Sequence, residues 1–429
     1  MKPTSIMVIA GEPSGDALAA ELVQALRAEA AFHCLPAKPV LRFFGAGGPK
    51  LEAAGMELAV DLTRHAVIGL WEVVKNYGKF RRVFNDLLDL AEERHPALLV
   101  CVDFSGFNRR FAHAVRKRAA RSKGKWNPRI VQYVSPQVWA SRPGRATRMA
   151  EDYDLLLTIF PFEKDWYAQR APSLKVEFVG HPMLDRFAGE SSKFKVQSSK
   201  SDCDRPTARP EVLLLPGSRA GELKRHLPAM VDAAQQVAAE MDVSFRLVLP
   251  SEVLAPLVSW EFERRLGLKV NRNGPPDSKA ATAYAQKLIP QFHIQVGHLD
   301  DALRSATIAI ASTGTVTMEC AFFKVPTIAL YKTSWSTYQI GKRIVTVNYL
   351  AMPNLLAGET VFPEFVQDAA TGKNLAEAAL GLLRDETRRT EIQGRLGGII
   401  AALGQPGANV RAAQAIWRLL DPGCGCARD

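Results

Sequence analysis

A single carboxylate, Asp103, stands directly behind the apolar run Leu98–Val102, in Asp103-Phe104-Ser105-Gly106-Phe107-Asn108. An acid at the carboxyl end of a buried strand points off the sheet, where it can take a proton from a hydroxyl or orient one. Capping of the next helix is the alternative. A second acid, Glu12, lies in Gly11-Glu12-Pro13-Ser14-Gly15-Asp16, which leaves the run Ile6–Ala10 and opens a helix near Asp16. Unpaired N–H groups at a helix start suit phosphate oxygens or sugar hydroxyls. Ser14, Gly15 and Asp16 are therefore candidate contacts, unless Ser14 or Asp16 merely caps the turn. The spacing is not GxGxxG, which argues against a dinucleotide.

Two loops in the second half have matching chemistry. Leu215-Pro216-Gly217-Ser218-Arg219 follows one apolar run, and Ser312-Thr313-Gly314-Thr315 follows another, with Glu319 one turn further on. Small residues and backbone N–H groups can hold a diphosphate while an acid at that reach grips ribose hydroxyls. The pair favours a nucleoside diphosphate over two coincident turns. Tyr133–Ala140 followed by Arg142-Pro143-Gly144-Arg145 joins aromatic, Pro and Arg residues in one loop, fit to clamp an anion through guanidinium forks. Alternatively, Trp139 packs against neighbouring loops. His181, in Gly180-His181-Pro182, suits a structural role as well as a ligand-facing one. Asp152-Tyr153-Asp154 precedes a strand and is read as chance, and the eight histidines show no metal spacing.

Short β-branched runs position these residues. Ile6–Ala10, Val40–Phe44, Leu98–Val102, Ile130–Val134, Leu155–Ile159 and Val176–Val179 read as strands in the first half. Val212–Leu215, Phe245–Leu249, Phe292–Val296, Ile308–Ala311 and Thr327–Leu330 do so in the second. Amphipathic stretches alternate with them, the clearest from Trp71 to about Arg94, as in parallel α/β units. The pattern predicts an α/β chain of two Rossmann-like domains facing across a cleft, over residues 1–190 and 210–405. A polar linker spans 191–209, and a terminal helix and tail span 406–429. The length of 429 residues fits two or three domains. Six cysteines without CxxC pairs exclude a disulfide scaffold and fit a reducing cytoplasm, with Cys424 and Cys426 in the tail. No apolar run approaches the roughly 20 residues that span a bilayer. The protein is expected to be soluble or attached to a membrane surface.

Lys and Arg exceed Asp and Glu by 55 to 44, a net charge of +11. Twelve basic residues and no acid lie between Phe104 and Ala150. Nucleic acid, an anionic membrane face or a phosphorylated substrate are the partners such a stretch suggests, a solvated helix face being the plainer reading.

Seven segments share their order and spacing with one family. They are Ala10–Asp16, Tyr133–Trp139 with Arg142–Arg145, Pro161-Phe162-Glu163, Val179–Pro182, Leu214–Arg219, Thr313–Glu319 and Pro353-Asn354-Leu355-Leu356-Ala357-Gly358. From about residue 6 to 370 the chain resembles lipid-A-disaccharide synthases. The resemblance implies a GT-B fold with C-terminal helices packing back toward the first domain. It also implies an inverting transfer from UDP-2,3-diacylglucosamine to 2,3-diacylglucosamine 1-phosphate, giving the β-1,6-linked disaccharide 1-phosphate and UDP. The family works at the cytoplasmic face of the inner membrane, commonly as dimers, with no metal or other cofactor implied.

By the same resemblance Asp103 is the base, with Glu12 its rival, and Ser14, Gly15, Asp16, Asn108, Trp139 and Arg142 face the acceptor. Gly217, Ser218, Arg219, Thr313, Gly314 and Thr315 hold the donor diphosphate, Glu319 the ribose, and Asn354 and Gln367 lie near the donor. Two residues depart from the family pattern: Gly106 stands where many relatives carry a second Asp, and Thr313 where Ser is common. The apolar segment Val67–Val74, with Tyr77 and Phe80, is expected to admit acyl chains and dip into the membrane through Trp71, Val73 and Val74. Nearby Lys and Arg side chains would meet anionic head groups; an ordinary core-facing helix is the alternative. Rival readings are another GT-B enzyme using UDP-N-acetylglucosamine, such as the 2-epimerase or the peptidoglycan transferase, and a basic nucleic-acid-binding protein. No nucleic-acid motif accompanies the charge.

Overall fold

A computed structural model describes residues 4–33, 40–63, 77–187, 209–267 and 277–420. They fall into two compact units, one within Met1–Ser199 and Leu403–Asp429, the other within Lys200–Ala402. The polar stretch 191–208, residues 268–276, the segment 67–76 and the tail with Cys424 and Cys426 lie outside the described residues.

The first unit runs β1 (Thr4–Ala10), α1 (Pro13–His33), β2 (Leu41–Gly47), α2 (Pro49–Ala53), β3 (Glu57–Asp61), α3 (Tyr77–Arg94), β4 (Leu98–Val102), α4 (Ser105–Arg121), β5 (Arg129–Tyr133), α5 (Arg145–Asp152), β6 (Leu155–Thr158), α6 (Pro161–Arg170) and β7 (Val176–Phe178). Its strands form one parallel sheet in the order β3-β2-β1-β4-β5-β6-β7. Both faces of the central strands are covered, so β4 is buried at every residue and reads as a continuous apolar run.

The second unit contains β8 (Glu211–Leu215), α7 (Ala220–Glu240), β9 (Ser244–Leu249), α8 (Ala255–Arg265), α9 (Ser278–Leu288), β10 (Phe292–Val296), α10 (Leu299–Ser305), β11 (Ile308–Ser312), α11 (Thr315–Phe322), β12 (Thr327–Tyr331), α12 (Trp335–Ile344), α13 (Met352–Ala357), β13 (Glu364–Val366), α14 (Gly372–Arg384) and α15 (Glu386–Ala402). Its parallel sheet has the order β10-β9-β8-β11-β12-β13. The final helix, α16 (Ala408–Leu420), packs on α1 in the first unit. Asp185 fixes it there by accepting the backbone N–H groups of Gly407, Ala408 and Asn409 at its first turn.

Both sheets reverse their strand order once, between β1 and β4 and between β8 and β11. In open α/β sheets ligands bind beyond the carboxyl ends of the strands at such a reversal. Four of the chemistry-bearing loops lie there: Gly11–Asp16 and Asp103–Asn108 in one unit, Pro216–Arg219 and Thr313–Thr315 in the other.

Candidate active site

In the first unit Ala10 pairs with Val102, and Val102 with Tyr133, so the loops behind β1, β4 and β5 begin side by side. Helix α1 starts at Pro13 rather than near Asp16; Pro is pre-set for a first helical position, and the Asp16 N–H already bonds the Glu12 carbonyl at 2.8 Å. Ser14 and Gly15 thus belong to the first turn. A Cβ on Gly11 would lie 2.2 Å from the Phe104 ring, which is how closely the two loops approach.

Asp103 and Phe104 both have left-handed backbone, at φ +48° and +42°, and the β-branched Val134 stands at φ +64°. Such strain persists only where surrounding contacts over-determine it. The Asp103 N–H donates to the Tyr133 carbonyl at 2.9 Å, and its own carbonyl accepts Asn108 Nδ2 at 2.8 Å and Gln132 Nε2 at 3.1 Å. Gln132 also donates to the Val134 carbonyl at 3.1 Å and so joins the two strained loops. Nothing in the sequence announces this role for Gln132, because a polar side chain inside a strand looks like an ordinary alternation. Burial raises the Asp103 carboxyl above the usual aspartate range, the nearby Glu12 charge raises it further, and the Phe104 N–H opposes both. The two rival bases therefore feel each other.

Three of the residues expected at the acceptor have their side chains engaged within the protein. Asp16 is buried, and its carboxylate accepts the N–H groups of Gly48, Lys50 and Leu51 at 2.7, 3.0 and 3.2 Å, fastening the start of α2. Asn108 is buried with Nδ2 donating to main-chain carbonyls; its Oδ1 has no hydrogen-bond partner. Trp139 packs against Phe162 and donates its indole N–H to Glu163 at 3.0 Å, so the loop-packing alternative is the one observed. Glu163 also accepts the Phe160 N–H, and burial pushes its carboxyl up to about 7. His181 accepts the Met183 N–H at Nδ1, and burial holds it down to about 4. Arg142 is exposed. Phe80 is half-buried on α3, while Trp71, Val73, Val74 and the Tyr77 side chain lie outside the described residues.

The acid-free basic stretch is partly neutralised in space. Arg116 pairs with Asp154, Arg118 reaches Asp89 and Glu92, each at 2.6 Å, and Arg129 lies 3.3 Å from Asp154.

In the second unit the two helix starts differ. The Glu222 carboxylate accepts the N–H groups of Ser218 and Arg219 at 3.0 and 3.3 Å. A Cβ on Gly217, at φ +116°, would strike Glu222. An internal carboxylate thus occupies the backbone N–H groups of Ser218 and Arg219, two of the residues expected at the donor. The Arg219 side chain remains largely exposed. At α11 no side chain caps the helix, its first turn holds no acid, and Gly314 and Thr315 are exposed. Glu319 lies four residues beyond Thr315, on the same face.

Asn354, expected near the donor, is likewise engaged within the protein. Nδ2 donates to the Phe362 carbonyl and Glu364, and Oδ1 accepts the Val361 and Phe362 N–H groups, all at 2.7–2.9 Å. Its hydrogen-bonding capacity is complete, leaving nothing for a donor sugar. Gln367 grips both the N–H and the carbonyl of Thr333. From the other side His226 holds Lys332 and the Pro216 carbonyl. A shallow hollow on α12, lined by Trp335, Ser336, Gln339 and Arg343, was not anticipated. Among the described residues no three His, Cys, Asp or Glu side chains cluster as metal ligands, and no helix is long and apolar enough to cross a membrane.

Two doubly wound units with ligand loops at both reversals are the architecture of GT-B nucleotide-sugar enzymes. The whole chain superposes on a putative UDP-N-acetylglucosamine 2-epimerase from Listeria monocytogenes (TM-score 0.58, 14% identity, 98% of each chain). It also superposes on the UDP-GlcNAc-bound 2-epimerase of Neisseria meningitidis (TM-score 0.53, 13% identity, 97% of this chain and 100% of that one). At this identity the likeness is one of fold. Sequence is more specific: the lipid-A-disaccharide synthetase family model matches residues 6–271 and 275–417. Relatives named lipid-A-disaccharide synthase include those of Trichlorobacter lovleyi (33% identical, 98% of both chains), Myxococcus xanthus (31%, 98% and 99%) and Solibacter usitatus (34%, 97% of both). The chain belongs to the lipid-A-disaccharide synthase family and is a glycosyltransferase.

Proposed function

We propose that this chain joins UDP-2,3-diacylglucosamine to 2,3-diacylglucosamine 1-phosphate. The C1–O bond to the diphosphate breaks as the acceptor 6-oxygen bonds C1 from the opposite face, and the hydroxyl proton passes to a carboxylate. The family match over nearly the whole chain carries this reading. Asp103 is the base, held by Gln132 and Asn108, with its proton affinity raised by burial and by Glu12. The uncapped start of α11 and the exposed Arg219 neutralise the departing diphosphate in place of a metal ion. Glu319 holds the ribose. Asn108, Asn354 and Gln367 act as positioning residues.

Peripheral attachment to the inner membrane through 67–80, and a dimeric state, belong to the same reading. Replacing Trp71, Val73 and Tyr77 together by Ser should reduce sedimentation with anionic vesicles, and unchanged binding would reject the membrane lip. The deciding experiment is incubation with both acylated sugars and detection of the tetraacylated disaccharide 1-phosphate. Wild type should form it and Asp103→Ala should be slower by about 10²–10⁴-fold. Epimerised UDP-sugar without disaccharide would replace this reading with the epimerase one.

A further inference from the structure

Helices α4 and α5 follow neighbouring parallel strands and pack side by side. Their register is fixed near the carboxyl-terminal end of α5. There Arg116 Nε donates to the Asp152 carbonyl at 2.9 Å, and His113 Nδ1 lies 2.9 Å from Asp152 Oδ1. Seven residues back along each helix, about two turns or 10 Å, Arg109 takes the place of Arg116 and Arg145 that of Asp152. One end of the helix pair alternates cation with acid; the other gathers Arg109, Arg110, Arg142, Arg145 and Arg148.

Among the described residues none of these five makes an ion pair or a side-chain hydrogen bond, whereas Arg116, Arg118 and Arg129 all have acids. Arg109 and Arg145, at the centre, are half-buried, and Arg110, Arg142 and Arg148 are exposed. The Arg145 guanidinium is held below the ordinary arginine range by burial and by the charges of Arg109, Arg142, Arg110 and Arg148, in that order. Gathering like charges without a counter-charge is unfavourable, and a bound anion relieves it. Helix α4 starts directly behind β4, and α5 starts at Arg145 itself after the loop that follows β5, so the N-terminal N–H groups of each add positive potential near the cluster. Arg109 lies two turns or less beyond Asp103.

We propose that these five arginines form the seat for the phosphomonoester of the acceptor sugar. A phosphomonoester presents up to two charges on three oxygens, matching several guanidinium forks converging from two rigid helices. The seat rests on the transferase reading above, which supplies an acceptor carrying that group. A membrane head group fits less well, because the two central arginines are half-buried rather than extended to a surface.

The test compares short-chain 2,3-diacylglucosamine 1-phosphate with the same sugar lacking phosphate, each in neutral detergent micelles. Wild type should prefer the phosphorylated acceptor. Arg145→Gln and Arg109→Gln should each lower kcat/KM for it at least tenfold while leaving the dephosphorylated sugar within twofold and the donor KM unchanged. Arg145→Lys should fall between, and Lys117→Gln, an exposed charge elsewhere on α4, should change nothing. Equilibrium binding of the phosphorylated sugar without donor should weaken at least tenfold in Arg145→Gln. An unaltered preference and affinity overturn the proposal. So does loss of sedimentation with phosphatidylglycerol vesicles with the preference intact, which assigns the arginines to lipid head groups. If wild type forms no disaccharide yet binding still differs tenfold, the seat stands and the transferase reading falls.

Discussion

Asn108 Nδ2 donates to the Asp103 carbonyl at 2.8 Å, and it lies 3.2 Å from the Val102 carbonyl as well. One buried amide thus ties the last residue of β4 and the strained residue behind it to the first turns of α4. Replacing it with the similarly sized Leu would take the Asn108 donor from the Val102 carbonyl and leave the Asp103 carbonyl with Gln132 alone. Asn108→Leu is expected to lower unfolding free energy by about 1–3 kcal/mol in urea titrations. It should also depress kcat more than it raises either KM, because the Asp103–Phe104 backbone relaxes from its left-handed conformation.

The proximity of Glu12 to Asp103 makes a signed prediction for the pH–rate profile. The Glu12 charge raises the Asp103 proton affinity, and the base must be deprotonated to act. The acidic limb of kcat should therefore lie above the usual aspartate range. Glu12→Gln removes the like charge and should move that limb to lower pH while retaining turnover. A variant that instead loses all activity at every pH would make Glu12 the base.

Much of this arrangement is legible in the sequence because the central strands are buried on both faces. Leu98–Val102 and Phe292–Val296 have the same limits in sequence and structure, and the loops behind β1, β4, β8 and β11 lie at the reversals of strand order. The strands not anticipated, Glu57–Asp61 and Glu364–Val366, are edges: short, partly exposed and without a continuous apolar run. Side-chain commitments were not legible either. Nothing in the local pattern around Asn354 announces that the Val361, Phe362 and Glu364 groups will use every hydrogen bond it can make. Nor does the acid-free run 104–150 reveal that Asp89, Glu92 and Asp154 will meet some of its arginines from other elements.

The contrast between the starts of α7 and α11 separates stability from ligand binding. Glu222→Ala removes a carboxylate that caps α7 and should cost about 1 kcal/mol in thermal or urea unfolding. UDP affinity should stay within twofold if the diphosphate is seated at α11. Thr315→Asp places an acid in the uncapped first turn of α11, which complements the helix dipole and should stabilise the fold by about 0.3–1 kcal/mol. The same charge opposes a diphosphate, so UDP binding by calorimetry should weaken at least tenfold. Equal losses of UDP affinity in the two variants would reject α11 as the preferred seat.

Glu163 sets a pH dependence of stability in the first unit. It is fully buried, accepts the Trp139 indole N–H and the Phe160 N–H, and its carboxyl is pushed up to about 7 from an ordinary value of 4.5. Because the folded state holds this proton more tightly than the unfolded chain, the contribution is fully present below 4.5 and lost as pH rises through 7. A shift of this size corresponds to about 3 kcal/mol. His181, half-buried near Phe160 and held down to about 4 from 6.5, acts in the opposite sense, losing stability as pH falls. The difference between wild type and Glu163→Gln isolates the carboxyl, since His181 is common to both. Urea unfolding should show wild type losing about 3 kcal/mol relative to the variant between pH 4.5 and 8. A difference that stays constant across that range would mean that Glu163 is already ionised in the folded protein, with the Trp139 and Phe160 N–H groups compensating its burial.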